Sequence, residues 1–428
     1  MSELTETCDF PAMSEAQFPG FSCAYRTVTT MITKLDGCCA LLLESSICEY
    51  NSEFSLNLRS SRQQKANKNL FHLFLSQEDM IFGFKAKIQE SILEIEKDYS
   101  PDAIYVITTC VSEITGEDVN EALEEIRSRN GARLILIHGD NFSCRDNKAG
   151  IEQFFLAFAE MMKPACLHRN SVNLLGFYAS SFKHCELIRL LERKGVSLSS
   201  VISSENCIKT LSNAPAARLN IVLDCFALPL AKEMKDRFGT EYFYCERPYT
   251  PKAIEKMYQD IGDFLGIDLL SESSSMKEEA EAAILNARNI FAGATFAVAR
   301  QMGNNLDLLK LLTYLNIDVK VLILNKLIQG DRNSIKELLS MGVDPFVTCC
   351  GNKLQIESLL SKIKPQYYIG GREHVVLADL DIERRNSLYS SNCFGFDLIE
   401  DVIDSLQKRP RGQDTLMYKS RILREVQT

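Results

Sequence analysis

The sequence lacks the features of several protein classes. Its 428 residues contain no tryptophan and five histidines, and its 48 lysines and arginines are outnumbered by 57 aspartates and glutamates, for a net charge of -9. This charge disfavours a nucleic-acid partner, because such proteins present basic surfaces to phosphates. No apolar run reaches about 18 residues, and the start MSELTETCDF lacks the pattern of a secretory signal. We therefore expect a cytoplasmic protein without a membrane-spanning segment.

Motifs of common enzyme classes are also missing. No GxxxxGK[ST] phosphate-binding loop is present, so nucleotide hydrolysis is expected to occur elsewhere. No glycine-rich dinucleotide fingerprint follows a predicted strand, and no HExxH, GxSxG or paired-cysteine zinc pattern occurs. The adjacent pairs Cys38-Cys39 and Cys349-Cys350 have poor geometry for holding one zinc ion. The sequence therefore gives no support to these chemistries.

Cysteine, by contrast, is abundant, with 15 residues. In a reducing compartment disulfides are not the default explanation for so many cysteines. Any single cysteine is more often a small core residue than a metal ligand. The cysteines that stand in special positions are therefore the ones to consider as ligands.

Length and patterning predict an α/β protein with several units. A chain of this size exceeds one ordinary hydrophobic core. Short apolar runs alternate with loops and amphipathic stretches of helical period, which is typical of βαβ units and parallel sheets. We predict three Rossmann-like units with parallel sheets flanked by helices, over residues 1–165, 166–270 and 278–428. The polar segment 271–277, SESSSMK, is the predicted linker, and residues 290–293 are predicted to form a strand.

Two cysteines directly follow predicted strands. The β-rich run at 103–107 leads through two threonines to Cys110, and the run at 220–223 leads through an aspartate to Cys225. In open α/β sheets, ligands bind in the crevice beyond the carboxyl ends of the strands. This location makes Cys110 and Cys225 better ligand candidates than an average cysteine.

The residues around Cys110 resemble a motif of a known family. TTCVSEITGEDV, residues 108–119, closely resembles the Thr-Cys motif of the nitrogenase component 1 superfamily, in which a strand-end cysteine precedes a glycine and an acidic pair that opens a helix. Upstream, LSQEDMIFGF, residues 75–84, resembles that family's acidic stretch followed by Phe-Gly. A looser likeness continues past residue 150. The resemblance therefore covers nearly the whole chain.

The N-terminal region resembles the part of this family that contains two further cluster cysteines. In FSCAYR the first of them would be Cys23. LDGCCALLLESSICEY is similar to the family's apolar stretch, turn and cysteine, and alignment of the apolar residues assigns the second position to Cys48. The segment 44–47 departs from the usual His-Gly-Pro turn. Because Cys38 also follows a glycine, it remains the alternative to Cys48.

The resemblance implies that Cys23, Cys48 and Cys110 hold an iron–sulfur cluster, of 4Fe–4S or P-cluster-like type. Thiolates suit iron because soft sulfur donors match the metal and tolerate its redox changes. Three thiolates leave the ligation of a cubane incomplete. The resemblance implies that a homologous or identical subunit completes the cluster in a dimer or tetramer, and that a separate ATP-dependent iron protein donates electrons. The alternative is that all three are core thiols.

The resemblance also implies a position for a second metallocofactor. In the catalytic nitrogenase subunit, a cysteine after the middle strand and a histidine near the C-terminus hold the active-site cofactor. Cys225 lies near the first position in a slipped register and is a candidate cofactor ligand, with a core thiol as the alternative. No histidine follows His374. The missing ligand argues against the catalytic nitrogenase subunit, while His374 and Cys393 remain candidates for lining a pocket.

Three functions follow from these expectations. The first is the cluster-binding subunit of a nitrogenase-like oxidoreductase. The second is a scaffold that carries a metallocluster during assembly and performs no turnover. The third is a metal-free α/β binding module, for which the unusual segment 44–47 is the main support.

Three acidic residues follow Cys110, and they are Glu113, Glu117 and Asp118. They have a plain structural interpretation, because acidic side chains are favourable at helix N-termini.

Overall fold

The structure is a computed structural model, and it describes residues 2–3, 24–33, 35–45, 48, 69–140, 148–176, 185–202, 206–207, 211–299, 306–324, 331–349, 353–370, 380–385 and 393–408. Its contacts divide the chain into two compact units. One contains Met1–Pro11, Ser181–Lys194 and Arg247–Thr428, and the other contains Ala12–Ser180 and Gly195–Glu246. Among the described residues, no helix is both long enough and apolar enough to cross a bilayer.

The described strands are short, as parallel strands in α/β proteins usually are. They are β1 (Ser2–Glu3), β2 (Leu35–Asp36), β3 (Cys38–Glu44), β4 (Leu70–Phe74), β5 (Ala103–Thr108), β6 (Arg133–His138), β7 (His168–Leu175), β8 (Ser197–Ile202), β9 (Asn206–Cys207), β10 (Ala217–Val222), β11 (Glu241–Tyr244), β12 (Thr295–Ala299), β13 (Asp318–Leu324), β14 (Phe346–Cys349), β15 (Tyr367–Ile369) and β16 (Glu383–Arg384).

The described α-helices alternate with the strands along most of the chain. They are α1 (Ala24–Ile32), α2 (Gln77–Phe82), α3 (Lys85–Tyr99), α4 (Cys110–Ile114), α5 (Val119–Arg127), α6 (Lys148–Met161), α7 (Glu186–Arg193), α8 (Leu228–Phe238), α9 (Pro251–Leu265), α10 (Leu270–Phe291), α11 (Asp307–Tyr314), α12 (Asp331–Ser340), α13 (Lys353–Ile363) and α14 (Asp397–Gln407).

The first sheet has the strand order β4-β3-β5-β6, and all its neighbours are parallel. Every side chain of β3 is buried, which is expected of a strand covered by helices on both faces. Because strand side chains alternate, Cys38, Ala40 and Leu42 enter one apolar cluster, and their neighbours in β3 enter another on the opposite face.

The second sheet lies in the same unit and has the parallel order β11-β10-β7-β8. Its centre contains two buried asparagines. The amide of Asn173 donates to Oδ1 of Asn220 at 2.8 Å and to the carbonyl of Ala214 at 2.8 Å. Helix α6 contributes three buried phenylalanines to the apolar cluster that joins the two sheets; they are Phe154, Phe155 and Phe158.

The third sheet belongs to the other unit and has the order β1-β14-β13-β12-β15-β16. Strand β1 pairs antiparallel with β14, and the remaining pairs are parallel. Three sheets built mainly from parallel strands with flanking helices confirm the predicted α/β, Rossmann-like fold class. The three domain boundaries predicted from the sequence stay a prediction.

The predicted linker at 271–277 is wrong, since this segment lies inside helix α10. The helix begins at Leu270, and Oδ1 of Asp268, two residues before it, accepts a hydrogen bond from the amide of Ser271 in the first turn at 3.0 Å. The hydroxyls of Ser273 and Ser274 donate to backbone carbonyls three residues earlier, so these polar side chains are satisfied within the helix.

The predicted strand at 290–293 is also wrong, because α10 continues to Phe291 and the strand begins at Thr295. Four buried side chains follow one face of the helix at intervals of three and four residues, and they are Ala280, Ile284, Ala287 and Phe291. This helical spacing holds the apolar end of the segment in the helix rather than in a strand.

Candidate functional site

Cys110 lies at the junction between β5 and the short helix α4. The backbone amide of Thr109 donates to the hydroxyl of Ser112 at 2.9 Å, which fixes the first turn of the helix. The hydroxyl of Thr109 donates to the carbonyl of Leu43, in the neighbouring strand, at 2.8 Å. These two bonds hold the half-buried Cys110 beside the carboxyl end of β3.

Cys48 follows β3, the strand adjacent to β5. Its amide donates to the carbonyl of Ser45 at 3.0 Å, and its Sγ accepts from the hydroxyl of Ser45 at 3.8 Å. Its side chain is half-buried and packs against the apolar cluster of the unit. Because β3 and β5 are parallel neighbours, with Leu42 opposite Ile107, Cys48 and Cys110 follow adjacent strands at the same edge of the sheet.

Cys38 lies at the opposite edge of this sheet. It pairs with Ala103, the first residue of β5, and it is 4% exposed. A strand from Cys38 to Glu44 spans roughly 20 Å at about 3.3 Å per residue, so Cys38 is far from the edge that carries Cys110. Burial raises the pKa of the Cys38 thiol to about 12, and burial raises that of Cys39 to about 11.

The remaining residues predicted for a site are Cys23, His374, Cys225 and Cys393. Cys23 and His374 lie outside the described residues. Cys225 lies three residues after the end of β10 in the second sheet, at the start of a one-turn helix whose N-cap residue, Asp224, accepts at Oδ1 from the amide of Phe226 at 2.9 Å. Cys225 and Cys393 are both half-buried. Of the three predicted cluster cysteines, the structure brings Cys48 and Cys110 to one sheet edge.

The unusual segment at 44–47 begins with a buried carboxylate. Glu44 is fully buried at the end of β3. Its Oε2 accepts a hydrogen bond from the hydroxyl of Tyr25, and its Oε1 pairs with Nδ1 of His72. This arrangement was not predicted from the sequence, because the partners lie 19 and 28 residues away from Glu44. The only local signal is an acidic residue at the end of an apolar run.

Two acidic residues after Cys110 have structural partners. Oδ1 of Asp118 accepts from the amide of Glu121 at 2.9 Å and begins helix α5, which is the plain structural role considered for it. Oε2 of Glu117 accepts from the amide of Phe84 at 3.2 Å. Gly83 has a φ of +90°, and a Cβ there would lie 2.8 Å from the Glu117 carboxylate. A glycine is therefore required where the two sequence motifs meet.

The third acidic residue, Glu113, contacts the end of β6. Its Oε1 lies 2.7 Å from Nδ1 of His138. The hydrogen bond to Glu113 raises the pKa of His138, and the same bond lowers the pKa of Glu113. Asp140 is fully buried two residues after the strand. One ligand atom from each of Glu113, His138 and Asp140 lies within 4.8 Å of the others, a grouping that the sequence analysis did not predict.

Large apolar side chains are exposed at the same edge of the first sheet. Phe82 is 85% exposed and Ile81 is 73% exposed, both in α2, which follows β4. Ile114, at the end of α4, is 71% exposed. The bond between Phe84 and Glu117 holds the end of α2 against the loop after α4. Ile81, Phe82 and Ile114 are together called the apolar edge surface, because all three follow strands at this edge of the sheet.

Comparison with known proteins gives matches over most of the chain. The family described as "Nitrogenase component 1 type Oxidoreductase" matches residues 23–383. The "Nitrogenase iron-molybdenum cofactor biosynthesis protein NifE" of Methanococcus maripaludis is 24% identical over 338 residues, which is 75% of this chain and 68% of the relative. The "Nitrogenase molybdenum-iron protein alpha chain" of Methanothermobacter thermautotrophicus is 21% identical over 312 residues, which is 71% of this chain and 66% of the relative.

A solved structure has the same fold. The structure "Nitrogenase Cp1 at pH 5" aligns with a TM-score of 0.69 at 17% sequence identity, and the alignment covers 91% of this chain and 89% of that one. At this identity the likeness supports the architecture alone.

Proposed function

Because this chain belongs to the nitrogenase component 1 type oxidoreductase family, we propose that it is the iron–sulfur-cluster-binding subunit of a nitrogenase-like reductase complex, which receives electrons from a separate ATP-dependent iron protein. The observation that carries the proposal is the position of two half-buried cysteines, Cys48 and Cys110, beyond the carboxyl ends of adjacent parallel strands. Cys23 is the third proposed ligand, by its place in the family resemblance.

The thiols at this edge fit an iron–sulfur cluster better than those inside the sheet. A cysteine must be deprotonated and accessible to bind iron. Cys38 and Cys39 are buried with raised pKa values, whereas Cys48 and Cys110 are half-buried. A cluster held by Cys23, Cys48 and Cys110 would supply one-electron transfer. Cys225, at the end of a strand of the second sheet, is proposed as a ligand of a second metallocofactor.

A second subunit is part of the proposal. Three thiolates do not complete the ligation of a cubane, so a homologous or identical component 1 subunit is proposed to approach the edge that carries Cys110. The apolar edge surface of Ile81, Phe82 and Ile114 supports this approach, because exposed apolar side chains gathered at one place favour a protein contact. The proposed assembly is a dimer or a tetramer.

The first experiment tests for the cluster. The chain is produced anaerobically with a homologous subunit encoded next to it, and iron, sulfide and the electron paramagnetic resonance spectrum of the reduced complex are measured. We expect stoichiometric iron and sulfide in the complex and much less in the chain alone, since the partner completes the ligation. Substoichiometric iron in the complex would exclude both cluster-binding functions, so that the metal-free binding module would be the function that remains.

Substitution of single cysteines tests the ligand assignment. We expect Cys110→Ala to remove most of the iron and to loosen subunit pairing, because the ligand is lost. Cys166→Ala is the matched control, since Cys166 is exposed and lies between α6 and β7. Full iron content in Cys110→Ala would contradict the assignment. Cys225→Ala is expected to affect only a second cofactor.

The second candidate function is a metallocluster assembly scaffold. The observation in its favour is that the relative from Methanococcus maripaludis, which matches 75% of this chain, is described as a cofactor biosynthesis protein. A turnover assay separates the two functions. The complex is mixed with the iron protein, ATP and a candidate substrate, namely dinitrogen, a tetrapyrrole or a small sulfur compound. A reductase consumes the substrate, whereas a scaffold leaves it unchanged and transfers metal to an acceptor protein.

A further inference from the structure

Three metal-ligating side chains converge beside Cys110 without including it. Glu113 lies on helix α4, His138 is the last residue of β6, and Asp140 follows two residues later. One ligand atom from each lies within 4.8 Å of the other two. Glu113 and His138 are half-buried and Asp140 is fully buried, so the group is open to solvent on one side and fixed on the other.

The backbone at the end of β6 fixes two of these side chains. The amide of His138 donates to Oε1 of Gln153 at 3.0 Å, and the amide of Gly139 donates to the carbonyl of Thr108 at 3.2 Å. A Cβ at Gly139 would lie 2.7 Å from the Thr108 carbonyl and 3.1 Å from Tyr25. Only glycine fits this position, and it allows the chain to pass close to β5. His138 and Asp140 are therefore held on either side of a tightly packed residue.

The charges of the group favour a divalent cation. One carboxylate oxygen of Glu113 and one of Asp140 each lie within 4.8 Å of a ring nitrogen of His138. Asp140 is completely buried, and a buried carboxylate is stabilised by nearby positive charge. A divalent ion bound to a neutral imidazole would match the charge of the two carboxylates, whereas a protonated imidazole carries one positive charge.

We propose that Glu113, His138 and Asp140 bind one divalent first-row transition-metal ion, such as Mn²⁺, Fe²⁺ or Zn²⁺. One imidazole and two carboxylates form a nitrogen and oxygen donor set that suits these ions. Ligand atoms about 2.0 to 2.2 Å from an ion lie about 3 Å from one another. The 2.7 Å between Oε1 of Glu113 and Nδ1 of His138 is close to this separation, and all three ligand atoms lie within 4.8 Å of one another.

This site is chemically distinct from the proposed cluster site. Its donors are nitrogen and oxygen, whereas those of Cys23, Cys48 and Cys110 are soft sulfur. The two sites share helix α4 and no ligand. Binding of Mn²⁺ to Glu113, His138 and Asp140 can therefore be measured whether or not an iron–sulfur cluster is present.

The test uses Mn²⁺, which binds oxygen and nitrogen ligands in preference to thiolates. The full chain is purified anaerobically, treated with a chelator and dialysed against increasing Mn²⁺ at mildly alkaline pH, where the imidazole is neutral. Bound Mn²⁺ is measured by elemental analysis, and free Mn²⁺ by electron paramagnetic resonance. We expect saturation at one ion per chain. Absence of saturable binding would overturn the proposal.

Two variants and one control connect the ion to these residues. Glu113→Gln retains a hydrogen-bonding side chain beside His138 and is expected to keep the fold, which circular dichroism verifies. We expect Glu113→Gln and His138→Asn each to weaken Mn²⁺ binding roughly tenfold or more. The matched control is His168→Asn, because His168 is an exposed histidine at the start of β7. Unchanged binding in both variants, or equal weakening in the control, would refute the assignment.

Discussion

The electrostatic surroundings of a carboxylate in this molecule depend on where it is buried and on which groups donate hydrogen bonds to it. Glu186, at the start of α7, accepts hydrogen bonds from the hydroxyl of Tyr258 at 2.6 Å and from the amides of Phe396 and Asp397 at 3.0 and 2.9 Å. Three donors compensate the burial of this carboxylate. Asp397 is less well supported, because its buried Oδ1 has no hydrogen-bond partner among the residues that the structure describes. Two acidic neighbours therefore have different electrostatic surroundings.

Asp397 makes stability depend on pH. Burial, followed by the charge of Glu186, raises its pKa from 3.8 to about 7. The folded state therefore binds the proton more tightly than the unfolded state, so stability decreases as pH rises from about 4 to about 7 and remains lower above that range. We expect Asp397→Asn to abolish this pH-dependent loss of stability, which the rise of this pKa from 3.8 to about 7 places on the order of 4 kcal/mol.

Thermal unfolding of wild type and Asp397→Asn across this pH range measures the difference. The variant should be more stable than wild type at neutral pH and should lose the advantage in acid. Asp404→Asn is a suitable control, because Asp404 is an exposed residue of the same helix. A wild-type profile that rises between pH 4 and pH 7 in parallel with that of Asp397→Asn would contradict the burial argument.

At the scale of elements, helix α10 shows where the local sequence was insufficient to predict the secondary structure. Serines are poor helix formers, and a run of them is typical of a linker. Four buried apolar residues farther along the helix supply the tertiary packing that overrides this preference. The alternation of apolar and amphipathic runs did predict the parallel sheets, because it reflects burial on both faces of each strand.

Long-range contacts explain what the sequence could not predict. Alignment of apolar residues assigned the second ligand position to Cys48, with Cys38 as the alternative, and this assignment stays a prediction. The register of β3 against β5, which separates Cys38 from Cys110, is a long-range feature that no local pattern contains. The group around His138 depends on the pairing of Thr108 with His138 across two strands. No local pattern contains this register, so the Glu113 and His138 contact could be found only in the structure.

A proline in α10 distinguishes a helix from a linker. Ser274 is exposed within the first turns of α10, where its backbone amide is needed by the helix. Ser274→Pro is expected to destabilise the chain by about 3 kcal/mol, since proline removes a hydrogen bond and clashes with the preceding turn. Ser274→Ala, which favours a helix, is the control and should be neutral or slightly stabilising. Urea unfolding measures both, and equal stability of the two variants would indicate a linker.

At the scale of the whole molecule, the apolar edge surface predicts assembly behaviour. Phe82→Ser is expected to weaken association with the proposed partner subunit roughly tenfold, because a large apolar side chain at an interface often carries such a contribution. The melting temperature of the chain alone should be unchanged, since Phe82 is 85% exposed. Sedimentation velocity on the complex measures the association.

The matched control for the assembly prediction is Leu285→Ser. Leu285 is 59% exposed on α10, a helix of the other compact unit. Its substitution should leave the association constant unaltered. If Leu285→Ser and Phe82→Ser weaken the complex to the same extent, the apolar edge surface has no special part in assembly.

The adjacent cysteines of β3 make the unfolding of the first sheet measurable without any engineered residue. Cys38 and Cys39 enter apolar clusters on opposite faces of the sheet. Each thiol can react with an alkylating reagent only after the helical layer on its own face has separated. Both lie in one short peptide, so fragmentation of the singly alkylated peptide in the mass spectrometer would locate the modified cysteine and report which layer detaches first.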